Sequence, residues 1–201
     1  MTTFTLTTIP TELHWQNQPV DWKLEPQGTL TMSAGASSDW FIDPNGTFSK
    51  GNAPSAVFTP PDADFVLSAR VTVGFGATYD AGVLRIHSSD EVWAKLCFEY
   101  SPQGKPMVVS VVTRGFSDDC NSTVIDGATV YLRISRNGQT FAFHYSPDGR
   151  VWNLVRYFGL GKLEAVQIGF SSQSPTGQQC TATFADIHYH GGGLADIRSS
   201  D

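Results

Sequence analysis

Trp93, Lys95, Cys97 and Glu99 fall at alternate positions of the stretch WAKLCFEY, with Ala94, Leu96, Phe98 and Tyr100 between and after them. Period-2 alternation is the mark of a half-buried strand, so one face here is apolar and the other carries an indole, an ammonium, a thiol and a carboxyl. Sugars are held by such mixtures, because their C–H faces pack on rings while their hydroxyls need donors and acceptors. Neighbouring segments enlarge the set. With Ser89-Asp90-Glu91 as a three-residue hairpin loop, Arg85 faces Lys95, His87 faces Trp93 and Leu84 meets Leu96 on the dry side. Carrying the register across Ser101–Pro106 sets Leu96 against Val111, Phe98 against Val109, Cys97 against Ser110 and Trp93 against Arg114. A further hairpin, VYLRISRNGQTFAFHY, turns at Asn137-Gly138 as a type I′ turn would. It opposes Ile134 to Phe141 and Leu132 to Phe143, leaving Tyr131, Arg133 and His144 on a polar side.

The candidate ligand-binding residues are therefore Arg85, His87, Trp93, Lys95, Glu99, Arg114, Tyr131, Arg133 and His144. A mid-strand tryptophan among two arginines, a lysine and a glutamate favours a binding cleft over a merely solvated outer face. Three cations suit a carboxylate or phosphate, as in a sugar acid or sugar phosphate, better than a neutral glycan. Catalysis is less well supported. Glycoside hydrolysis needs two carboxyls, and Glu99 has no obvious partner, since Asp80, Asp118 and Asp119 read as turn residues. Glu99 and His87 are the catalytic candidates, and His87 or His144 could act as base in a lyase or isomerase. His188 and His190 share a strand face, but two ligands without a third do not make a metal site. Asp43, Asn45, Asp118 and Asp148 form no D-x-D-x-D-G calcium loop. Gly74-Phe-Gly76 lacks a dinucleotide fingerprint, and there is no Gly-x-Ser-x-Gly elbow. No cofactor and no metal are expected.

The elements that must position these residues are strands. Turn clusters recur every eight to twelve residues, at least ten strands can be counted, and no helix is long enough for a βαβ crossover. LHWQNQPVDWKLEPQGTLTMSA contains a hairpin turning at Pro26-Gln-Gly28, and DFVLSARVTV is a well-alternating strand. SSDWFIDPNGTFSKGNAP reads as an ordered loop holding Trp40, Phe41 and Phe48, packed down or exposed for binding. The fold class is all-β, a two-sheet antiparallel sandwich of one domain over residues 1–190, with a frayed C-terminal tail over 191–201.

Composition limits the partners. The 201 residues carry 13 Lys and Arg against 19 Asp and Glu, a net charge of −6, with 12% aromatic residues. That leaves no basic stripe for nucleic acid or an anionic membrane. The opening MTTFT has neither a basic segment nor the apolar core of a secretion signal, and no apolar run spans a bilayer, so a cytoplasmic location is expected. Cys97, Cys120 and Cys180 are odd in number and widely spaced, which reads as reduced thiols, buried as small hydrophobes. A carbohydrate-type ligand or a protein partner remains open, as does the choice between monomer and dimer.

The blocks DAGVLRIHSSDEVWAKLCFEY, SVVTRGFSD, RISRNGQTFAFHYSPDGRVW and GFSSQSP, in that order, resemble the DUF1349 family. SDWFIDPNGTF and DFVLSARVTV fit its pattern too, so the resemblance runs from about Leu13 to Tyr189. The family's domain is described as concanavalin A-like and also carries the label "regulation of enolase". The resemblance implies a jelly-roll sandwich whose concave sheet, in the wider lectin and glucanase superfamily, usually holds carbohydrate. It implies a regulatory or scaffold role as the alternative, and it fixes no activity.

Overall fold

Strands whose apolar residues recur every second position can bury one face each, and two sheets laid face to face satisfy that requirement. In the computed structural model, which describes residues 3–163 and 165–198, this is the arrangement, and no α-helix forms among the described residues. In chain order the strands are β1 (Thr3–Phe4), β2 (Leu13–Gln16), β3 (Asp21–Leu24), β4 (Leu30–Gly35), β5 (Trp40–Ile42), β6 (Ser49–Gly51), β7 (Ser55–Phe58), β8 (Phe65–Gly74) and β9 (Ala81–Ser89). There follow β10 (Val92–Tyr100), β11 (Pro106–Arg114), β12 (Phe116–Val124), β13 (Thr129–Asn137), β14 (Thr140–Ser146), β15 (Asn153–Gly159), β16 (Gln167–Gln173) and β17 (Gln179–Gly191). The first sheet runs β1-β2-β7-β16-β9-β10-β11-β12, the second β15-β14-β13-β8-β17-β4-β3, and β5-β6 form a separate hairpin.

The core lies between the sheets. Leu84, Ile86, Leu96, Phe98 and Phe170 of the first sheet meet Leu67, Val71, Leu132, Phe143 and Phe184 of the second. Gly82 marks a close approach of the two sheets, since a Cβ there would stand 2.6 Å from Val71 Cγ1 and 3.0 Å from Val73 Cγ2.

Register explains which side chains leave the core. β9 and β10 pair as the sequence predicts, Arg85 with Lys95 and His87 with Trp93, with a bulge at Val92/Trp93. Between β10 and β11 the predicted register is off by one residue. Leu96 pairs with Ser110, Cys97 with Val109, Lys95 with Val111 and Trp93 with Thr113. Pro106 is the first residue of β11, so the loop is one residue shorter than expected, and a proline is tolerated at a strand start. A one-residue slip reverses faces, so Val109 and Val111 stand outward beside Cys97 and Lys95, while Ser110 and Arg114 leave that side. The β13-β14 register is off by two, with Ile134 on Phe143 and Arg133 on His144, because the turn residues are Gly138 and Gln139. Gly138 has φ +61, the sign a type II′ turn needs at its first central position. A two-residue shift keeps every side chain on its expected face.

The segment after β17 lies along the outside of the second sheet. Asn137 brackets Leu194, donating to its carbonyl at 2.8 Å and accepting from its N–H at 3.1 Å, and His144 Nε2 meets the Ile197 carbonyl at 2.9 Å. The last three residues of the tail lie outside the described residues.

Candidate functional site

The aromatic loop is the roof of the first sheet's outer face. Asp43-Pro-Asn-Gly46 closes a turn in which the Gly46 N–H donates to the Asp43 carbonyl at 2.8 Å, so β5 returns as β6 and lays its rings down. Trp40 is buried, donates its Nε1–H to the Ala53 carbonyl at 2.9 Å and covers Arg85, whose Cζ sits 3.3 Å from the ring centroid. Its edge meets Trp93, centroids 6.2 Å apart, and His87 at 5.7 Å. The Ile42 N–H donates to Ser117 Oγ of β12 at 2.9 Å and fixes the far end.

The roof divides the polar face in two. Trp93, predicted as a platform for a sugar ring, is 0% exposed and cannot serve as one. Arg85 is equally enclosed, with Nη1 donating to Gln16 Oε1 at 3.0 Å and to Ser55 Oγ at 3.1 Å; burial pushes its guanidinium down to about 9. Burial, with Arg85 adding and Asp90 opposing, pushes His87 down to about 4, so the ring is neutral at ordinary pH. Packing of three aromatic rings and a guanidinium, absent from any strand-alternation argument, encloses this half of the face.

The other half is open. Lys95, Glu99, Val111 and Asp119 floor a cavity of about 440 Å³ whose walls include Phe41, Phe48 and Tyr79. Cross-strand pairing of Lys95 with Val111 and of Val111 with Asp119 brings Asp119 to the floor from β12. Lys95 Nζ donates at 2.9 Å both to Asp39 Oδ1 and to Gln173 Oε1. Gln173 Nε2 donates to the Tyr79 carbonyl at 3.1 Å and reaches Glu99 Oε2 at 3.5 Å. Burial works against the charge on Lys95, yet Asp39, with Cys97 and Glu99, outweighs it and holds the ammonium above its ordinary value. Burial pushes the Glu99 carboxyl up to about 8; Lys95 opposes this, while Asp119 and Asp39 add to it. Glu99 thus carries its proton at neutral pH. Tyr79 holds a left-handed backbone, φ 70, fixed by its N–H donating to the Tyr100 carbonyl at 2.7 Å, and such strain in a non-glycine residue recurs at ligand sites.

Five predicted residues, Arg85, His87, Trp93, Lys95 and Glu99, share one sheet face, but among them only Lys95 and Glu99 line the cavity. Arg114 faces the other way at the strand end, its Nη1 3.5 Å from the Gly159 carbonyl. Tyr131, Arg133 and His144 belong to the second sheet, whose outer face points away from the first. There Tyr131 donates to Asp186 at 3.1 Å and Arg133 lies 4.4 Å over Trp152. Alternation separates a wet face from a dry one and is silent about which sheet a hairpin joins. The three cations expected to select an anion are therefore not together, and the one in the cavity is already paired with Asp39. Asp119, predicted as a turn residue, is a strand residue on the floor; Asp80 is the turn residue it was read as, accepting from the Gly76 and Ala77 N–H groups at 2.9 and 2.8 Å. Asp39, Tyr79 and Gln173 had no sequence signal as site residues, whereas Phe41 and Phe48 were visible in the aromatic loop. Among the described residues no three His, Cys, Asp or Glu side chains could hold a metal ion, His188 and His190 included. None has a helix long and apolar enough to cross a membrane.

The family model of DUF1349, a protein of unknown function, matches residues 15–191. A functionally unknown protein from Saccharomyces cerevisiae has the same fold, with a TM-score of 0.80 at 21% identity over 90% of this chain and 96% of that one. The GH43 protein BlXynB (K247S mutant) from Bacillus licheniformis is similar over 90% of this chain but 36% of its own, with a TM-score of 0.71 and 16% identity. An alginate lyase from Klebsiella pneumoniae is similar over 85% of this chain and 84% of its own, with a TM-score of 0.58 and 15% identity. These likenesses show a concanavalin A-like sandwich. A search of curated proteins found no match.

Proposed function

The chain belongs to the DUF1349 family, whose description assigns no activity, and from the geometry of its cavity we propose that it binds a carbohydrate or sugar-derived ligand without turning it over. One observation carries the reading: the rings of Phe41 and Phe48, stacked with centroids 5.8 Å apart, stand with Tyr79 above a floor of Lys95, Glu99 and Asp119. Apolar walls over a polar floor match a sugar's two kinds of surface, and the volume lies within the usual range for small-molecule sites, roughly 300–1,000 Å³. Fold likeness to domains of GH43 proteins and to an alginate lyase adds support at the level of architecture alone.

Thermal shift of wild type and Phe48→Ala against xylo- and gluco-oligosaccharides, uronic acids, amino sugars and sugar phosphates tests this. At ligand concentrations about 100 times Kd, stabilisation of roughly 2.7 kcal/mol is expected in wild type and most of it lost in the variant. Silence across the panel would sink the sugar reading and favour a protein partner. A carbohydrate-active enzyme is the second reading, favoured by the presence of two carboxyls, Glu99 and Asp119, in one cavity. Turnover of a bound oligosaccharide that Glu99→Gln abolishes would establish it.

A further inference from the structure

We infer that Glu99, as a neutral carboxylic acid, donates the central hydrogen bond to the ligand, and that the cavity therefore selects uncharged sugars over acidic ones. The inference rests on the sugar reading and deepens it. Glu99 is 8% exposed and lines the cavity floor, yet its one hydrogen bond is the long 3.5 Å contact from Gln173. Its Oε1 has no partner among the described residues. The neighbours that could have held it are engaged elsewhere: Gln173 with Lys95 and the Tyr79 carbonyl, Lys95 with Asp39 and Gln173. An acid oxygen left this way on a cavity floor is free to bond whatever enters, water or ligand.

What that partner is follows from the charges around it. Glu99 faces the ammonium of Lys95 and the thiol of Cys97 on its own strand, the carboxylate of Asp119 from β12, and Asp39 from the roof. Tyr79 and Lys50 also line the cavity, and Lys50 donates to the Ser37 carbonyl at 3.1 Å. Lys95 and Asp39 cancel, so at the floor an entering carboxylate or phosphate meets Asp119 with no unpaired cation beside it; Lys50, the other cation lining the cavity, belongs to β6 of the roof. A sugar hydroxyl or ring oxygen accepts from the acid as it stands, and its own O–H can donate to Asp119.

Two measurements decide the matter. The ¹³C carboxyl resonance of Glu99 in the ligand-free protein, assigned by its loss in Glu99→Gln, should titrate around 8 instead of near 4.5. Calorimetric Kd values for xylobiose and cellobiose should be constant from about pH 6 to 7.5 and about 30-fold weaker at about pH 9.5, because affinity confined to the protonated form falls tenfold per pH unit above the pKa. Glu99→Gln keeps a donor and should bind within a few-fold of wild type with no pH dependence, whereas Glu99→Ala should lose binding. A midpoint near the ordinary carboxylate value overturns the inference even where no sugar binds. So does affinity that stays flat or rises with pH, or tighter binding of galacturonate than of xylobiose; either leaves the sugar reading intact. Absence of binding by every sugar class removes the sugar reading, and this inference with it.

Discussion

Lys95 is an ammonium at the bottom of a sheet face, 3% exposed, and it stays charged because Asp39 stands 2.9 Å away. Removing one partner of a buried pair leaves the other uncompensated, which costs more than the pair contributes in place. Lys95→Met, close in volume and unable to pair, should lower stability by about 3 kcal/mol in urea unfolding, and adding Asp39→Asn to it should recover part of that loss. A single variant as stable as wild type would show that the pair is screened by water in the cavity. At this scale the sequence was half legible. Lys95 and Glu99 were placed on one face by alternation within a single strand, a local pattern. Their partners Asp39 and Gln173 stand 56 and 78 residues from Lys95, a separation that no local periodicity spans.

Among the elements, the β5-β6 hairpin matters most to the site. It buries Trp40 over Arg85 and Trp93, and without it the whole outer face of β9 and β10 would be wet. Trp40→Ala should destabilise by about 3 kcal/mol or more, with Trp93 becoming accessible to acrylamide quenching. A loss below about 1 kcal/mol with Trp93 still shielded would mean that the other roof residues suffice to cover it. The turn signal Asp43-Pro-Asn-Gly46 and the three aromatics made this loop recognisable, but its landing place was not. The β10-β11 slip has an equally physical cause. MVVSVV has apolar residues on both faces, since Val111 packs under the roof and Val109 beside Cys97 while Val108 and Val112 enter the core, so alternation could not fix the register. β12 was missed because FSDDCNSTV is a polar edge strand with almost no buried face.

For the whole molecule, the titrating groups set a pH of greatest stability. Glu99 binds its proton more tightly folded than unfolded, so its contribution is complete below about 4.5 and is lost as pH rises to about 8. His87 and His144 have the opposite sign. Burial pushes each down to about 4 from 6.5, so the unfolded chain takes up protons first and stability falls as pH drops through that window. Among these three groups two protons outweigh one below about 6.5 and Glu99 acts alone above it, so urea stability should peak near pH 6.5. In Glu99→Gln the alkaline decline between 6.5 and 8 should flatten; persistence of that decline would assign it to another group.

The roof is pinned as well as placed: Trp40 to Ala53, Ile42 to Ser117, Asn17 Nδ2 to the Gly51 carbonyl at 2.9 Å, and Asp39 to Lys95. A cavity walled by a fixed hairpin exists before anything enters it. Association then proceeds at the encounter rate with no preceding opening step, and differences in affinity between ligands become differences in how long each one stays.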